Sequence, residues 1–84
     1  MSNINVVFNK NGNLITMQGK SDMMFAELAL KYVQKVGIDI KNDQPKFIFN
    51  SSEIVPDSCK ELGALGLRDF SRIEVVIGKD IIGA

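Results

Sequence analysis

Apolar and polar residues alternate with a period of two near both ends of the chain and follow a helical period between them. Over residues 4–8, Ile4, Val6 and Phe8 share one face while Asn5, Val7 and then Asn9 take the other, the pattern of a half-buried strand. Lys10-Asn11-Gly12-Asn13 follows, and its Asn-Gly dipeptide suits a hairpin turn with positive backbone angles. The returning strand is predicted over residues 14–19, with Ile15 and Met17 alternating against Leu14, Thr16 and Gln18.

The period then changes. Ser21 or Asp22 is placed to cap a helix running to Val36, and Gly37 sits where a helix commonly stops. At 100° per residue, Phe25, Leu28, Ala29, Tyr32, Val33 and Val36 fall on one face, with Glu27, Lys31, Gln34 and Lys35 opposite. Residues 39–44 are polar and read as a loop ended by Pro45. In the strand that follows, Phe47 and Phe49 point one way and Ile48 the other. Ser51-Ser52 marks a turn, and Ser58-Cys59-Lys60-Glu61 matches a capping box that predicts a short second helix broken by Gly63 or Gly66. Leu62, Leu65 and Leu67 are expected under the sheet, ahead of a last strand over residues 73–77 with Ile73, Val75 and Ile77 inside and Glu74 and Val76 outside.

Composition narrows the function classes. A chain of 84 residues supports one core and buries only roughly 60% of its unfolded surface. Ten Lys plus Arg against ten Asp plus Glu give zero formal charge, which removes the footprint of a nucleic-acid binder or a membrane-surface helix. No apolar run approaches the ~20 residues of a membrane span. With no His and one Cys, the common metal and acid/base side chain is missing and no intrachain disulfide can form. A cytoplasmic or nuclear setting is the expectation. The acidic residues form no cluster with metal-loop spacing, and Gly63-Ala64-Leu65-Gly66 lacks the Lys-Ser or Lys-Thr of a phosphate loop. Neither a cofactor, a metal nor a catalytic residue is expected, and the chain is read as non-enzymatic.

The order strand, Asn-Gly turn, strand, helix, strand, short helix, strand resembles the ubiquitin-like β-grasp family over residues 4–77. Ser21-Asp22, Gly37-Ile38, Lys46-Phe47-Ile48-Phe49, the spacing of Leu62, Leu65 and Leu67, and the trio Ile73, Val75 and Ile77 carry the resemblance together. It implies an α+β fold in which a mixed sheet of four to five strands packs on one main helix, with a short second helix. Residues 1–78 would form the domain and residues 79–84 a loose tail. Ubiquitin is recognised mostly through an apolar patch on its sheet, whose central isoleucine aligns with Ile48 and whose last-strand valine aligns with Val76. Strand parity turns both outward, and the family's topology makes their strands neighbours, so the two are expected side by side facing water. The resemblance thus implies a protein partner docking on Lys46, Ile48, Glu74 and Val76, with the domain itself a monomer.

The departures from ubiquitin shape the functional reading. Glu74 replaces the patch's histidine, no equivalent of its first-turn leucine is evident at Lys10 or Asn11, and of the basic rim only Lys46 remains. The lysines of the two best-known chain types align with Ser52 and Asp69, and those of the helix with Lys31 and Lys35. The end of the sequence, Gly78 to Ala84, lacks the two final glycines of a conjugated ubiquitin. The leading expectation is therefore a non-catalytic interaction domain. The alternative is a protein modifier released from a precursor or polyprotein and conjugated through a processed terminus. A third use of such a fold, adding its second strand to a small GTPase, usually wants a basic strand, and residues 14–20 carry only Lys20. Where a ligand of the large hexameric unfoldase would have a Phe-Pro-Arg turn, this chain has Ser51-Ser52-Glu53-Ile54-Val55-Pro56. Cys59 is expected as a small buried thiol and Met24 as packing filler beside the helix, with Met23 left open between filler and contact surface.

Overall fold

The computed structural model describes residues 3–78. Its first two strands, β1 (Asn3–Lys10) and β2 (Asn13–Lys20), form an antiparallel hairpin in register from Lys10↔Asn13 to Asn3↔Lys20. The turn between them is two residues long, Asn11 at φ 53° and Gly12 at φ 84°. Two consecutive positive angles match the right-handed twist of the strands, and Asn and Gly tolerate them best. The Asn9 side chain accepts from the Gly12 N–H at 2.9 Å and closes the turn.

The main helix, α1 (Phe25–Val36), begins later than expected. Met24 occupies the N-cap and no side chain caps the helix. The first-turn donors are met instead by backbone from a distant segment, with Phe25 N–H donating to Lys60 O at 2.9 Å and Ala26 N–H to Ser58 O at 3.0 Å. Orphan amides at a helix start need partners, not a particular side chain, and Ser21-Asp22 are left in the preceding turn. The C-terminal expectation holds: Gly37 at φ 79° donates to Val33 O.

The polar stretch after α1 is more than a loop. Asp39 caps a single helical turn, α2 (Ile40–Asp43), accepting at Oδ1 from Lys41 N at 3.0 Å and Asn42 N at 3.4 Å. The expected short second helix therefore exists, but not at residues 58–66. That stretch is a series of turns in which the Ser58 hydroxyl accepts from Lys60, and Glu61 forms a bridge to Met24. Tying its backbone to α1 and to Ser21 O, through Gly63 N–H at 2.9 Å, leaves the segment no freedom to wind.

Strand β3 (Pro45–Phe49) turns through Asn50 and Ser51, both at positive φ, into β4 (Ser52–Ile54), a three-residue edge strand that periodicity did not locate and that brings the sheet to five strands, within the four to five expected. The last strand, β5 (Ser71–Ile77), runs parallel to β1 and antiparallel to β3. The sheet order is β2-β1-β5-β3-β4. Its inner face packs on α1 around four rings. Phe8 stacks on Tyr32 with centroids 4.3 Å apart, and Phe47 meets Phe8 and Phe25 edge-on at 5.9 and 5.5 Å. Leu62 and Leu67 are buried in this core and Leu65 partly so, as their spacing predicted. Met24 is exposed and so is not the packing filler expected, while Met23, which the sequence left open, packs against the core. The expected tail at residues 79–84 lies outside the described residues. Among the described residues no helix is long and apolar enough to cross a membrane.

Candidate partner-binding surface

The sheet's second face is formed by the residues that parity turns away from α1. Phe47, Ile73 and Val75 are buried inward, so Lys46, Ile48, Glu74 and Val76 share the outer face. The β3–β5 register pairs Lys46 with Val76 and Ile48 with Glu74. Ile48 and Val76 are thus diagonal neighbours, about 7–8 Å apart, rather than side by side as expected. The block is a checkerboard in which each apolar side chain stands directly across from a charged one. Ile48, Glu74 and Val76 are half-buried and Lys46 is exposed.

The row through Ile48 continues on both sides. On one side Glu53 of β4 lies directly across from it. On the other, Glu74 pairs with Asn9 of β1, whose Nδ2 donates to the Glu74 carboxylate at 2.8 Å, and Asn9 pairs with Leu14 of β2. Leu14 is 52% exposed, more open to water than the half-buried Ile48 and Val76. Three strand spacings place it about 14 Å from Ile48. Alternation in the sequence separates Leu14 from Ile15 and Met17 but does not say which set faces outward, and no equivalent of the patch's first-turn leucine is evident at Lys10 or Asn11. The Asn11-Gly12 turn was the available signal, since a two-residue hairpin fixes Leu14 opposite Asn9.

Three other features lie off this block. Cys59 is exposed, with its Sγ 3.9 Å from Asp57 O, and so is not the buried thiol expected. It sits in the turn that feeds α1 with carbonyls, which holds it at the surface. Phe70, 65% exposed, has φ 64° and lies in a loop pinned to β1, where Asp69 Oδ1 accepts from Asn5 N at 2.7 Å and Asn5 Nδ2 at 3.0 Å. An open groove of about 290 Å³ beside β4 is lined by Phe49, Ile54, Lys60 and Leu65 among others. Among the described residues no three His, Cys, Asp or Glu side chains gather as a metal-holding group.

No protein-family model and no curated protein matches the chain. Solved structures do. The ubiquitin-like domain of the Arabidopsis thaliana protein At2g32350 superposes with a TM-score of 0.77 at 18% identity, over 92% of this chain and 79% of that one. The ubiquitin-like domain of yeast Ddi1 gives 0.75 at 16% identity, over 87% and 86%. A crystal structure of AtBAG1 in complex with HSP70 gives 0.75 at 20% identity, over 95% of this chain but only 46% of that one. At these identities the likeness is one of fold, and the fold is the ubiquitin-like β-grasp that the order of elements implied.

Proposed function

We propose that this ubiquitin-like chain is a non-catalytic protein-interaction domain that docks a partner through the outer sheet face around Ile48 and Val76, with Lys46 and Glu74 setting the polar contacts. The observation that carries this reading is the register: two apolar side chains sit diagonally on the face turned away from α1, each beside a charged group. Such a block loses water from apolar surface when covered and fixes a partner's orientation through its charges. AtBAG1, which resembles this chain over 46% of its own length, was solved in complex with HSP70, so such folds occur in proteins that bind protein partners. The non-catalytic part is supported by the absence of His from the sequence and by an exposed Cys59 whose Sγ, among the described residues, has the Asp57 carbonyl as its hydrogen-bond contact. A free exposed thiol suits a reducing compartment, the cytoplasm or nucleus.

Comparative capture tests it, with wild type, Ile48→Asp/Val76→Asp and, as a control on α1, Leu30→Asp, which replaces a side chain 49% exposed on the helix. Proteins retained by wild type and by Leu30→Asp are expected to be lost from the double variant while circular dichroism reports an intact fold. Retention by all three would refute the assignment, and adducts surviving denaturation would favour the modifier instead.

A further inference from the structure

The charges flanking Ile48 specify what kind of partner this face accepts. Ile48 is the only residue of its row on β3, and the register sets Glu53 directly across from it on β4 and Glu74 directly across on β5. The apolar side chain is therefore bracketed by two carboxylates, with no cation in its row. The Asn9 amide bonds one oxygen of Glu74, which steadies the carboxylate without neutralising it and leaves its other oxygen available. Among the described residues neither acid is joined to Lys46 or Arg72 by an ion pair. Those cations belong to the adjoining rows, Lys46 beside Val76 and Arg72 beside Val7.

Resting on the docking role proposed above, we propose that the partner presents a basic amphipathic helix, laid across the strands, whose apolar side chain covers Ile48 between two Arg or Lys residues that meet Glu53 and Glu74. Geometry selects the helix. The two carboxylates project from strands two spacings apart, about 10 Å. On a helix, positions seven residues apart share a face and are about 10.5 Å apart, with the third or fourth residue between them on the same side. On an added strand, same-face residues recur every ~7 Å, which matches neither acid once Ile48 is covered. Lys46 and Arg72 repel cations placed off the row, so the helix runs along the row and not along β3. An acidic helix would set its carboxylates against Glu53 and Glu74.

The test uses two synthetic helical peptides, one with Leu between two Arg seven residues apart and one with Glu at both Arg positions, each titrated into the isotope-labelled domain. The Arg peptide is expected to shift the amides of Ile48, Glu53 and Glu74 and to bind on the order of tenfold more tightly than the Glu peptide at low salt, an advantage that shrinks as salt screens the charges. Glu53→Lys/Glu74→Lys should invert the preference, and Glu53→Gln/Glu74→Gln should abolish it, which keeps the test decisive if the double reversal perturbs folding. Equal or tighter binding of the Glu peptide, a preference untouched by either variant, or no shift on this face with either peptide would overturn the proposal. Natural partners lost from Ile48→Asp/Val76→Asp but kept by Glu53→Gln/Glu74→Gln would leave the docking face standing and reject the cationic helix alone.

Discussion

Ile48 and Glu74 are direct cross-strand partners on the open face of the sheet, while Phe47 and Val75, one residue away on the same strands, are partners on its buried face. One strand pair thus joins the aromatic core to the candidate docking surface. Changes to the core and to the surface separate cleanly because the pleat sends alternate side chains to opposite sides.

Phe47 lies at the centre of the ring cluster, within reach of Phe8, Phe25 and Tyr32. Phe47→Ala is expected to lower stability by about 3–5 kcal/mol, much of what a small domain has at roughly 5–15 kcal/mol. Urea unfolding monitored by circular dichroism measures it, and a loss below about 1 kcal/mol would show that the cluster is not the core's centre.

Burial raises the pKa of Tyr32 above its ordinary value of 10.0. The folded state then keeps its proton at pH values where the unfolded chain has lost it. This contribution is complete below about pH 10 and is lost as pH rises through the folded value. Stability should fall above pH 10, and Tyr32→Phe should flatten that fall while retaining the ring stack on Phe8, as denaturant midpoints across the alkaline range would show.

Gly78 is buried against α2's end, its N–H donating to Gln44 O at 2.8 Å, and a Cβ there would collide with that same carbonyl oxygen. The clash is with backbone, which cannot swing aside as a side-chain end can. Gly78→Ala should therefore destabilise by about 1–3 kcal/mol, read as a lower thermal midpoint.

Phe70 holds φ 64° with its ring largely in water. The left-handed conformation is strained for a bulky residue, by about 1–3 kcal/mol, and relieved by Gly at an entropic cost of about 0.5–1 kcal/mol. Phe70→Gly should stabilise by about 1 kcal/mol, which in a domain of this size raises the thermal midpoint by roughly 4–8 °C. A lower midpoint would mean that the ring supports the loop.

Local periodicity made much of the fold legible. The parity of Ile4, Val6 and Phe8, the one-sided face of α1 and the leucines at 62 and 67, with Leu65 partly covered beside them, each state which side is buried, and burial is what those residue types report. The misreadings share a cause. Ser21, Asp22 and Ser58 carry local capping chemistry, but the amides at the start of α1 are taken by Lys60 O and Ser58 O from far along the chain. Asp39, by contrast, acts locally as the cap of α2, a turn too short to show a hydrophobic period. The four site residues came from parity and alignment, and the structure sets them on one face. Their diagonal arrangement, the flanking Glu53 and the distant Leu14 depend on strand register, which alternation alone leaves open.

Methyl cross-saturation from an unlabelled captured partner to the methyl-labelled domain tests the docking face most directly. Attenuation is expected at the methyls of Ile48 and Val76, with those of Leu30 and Val55 unaffected. Attenuation centred on Leu30 or Val55, with Ile48 and Val76 silent, would contradict the docking role.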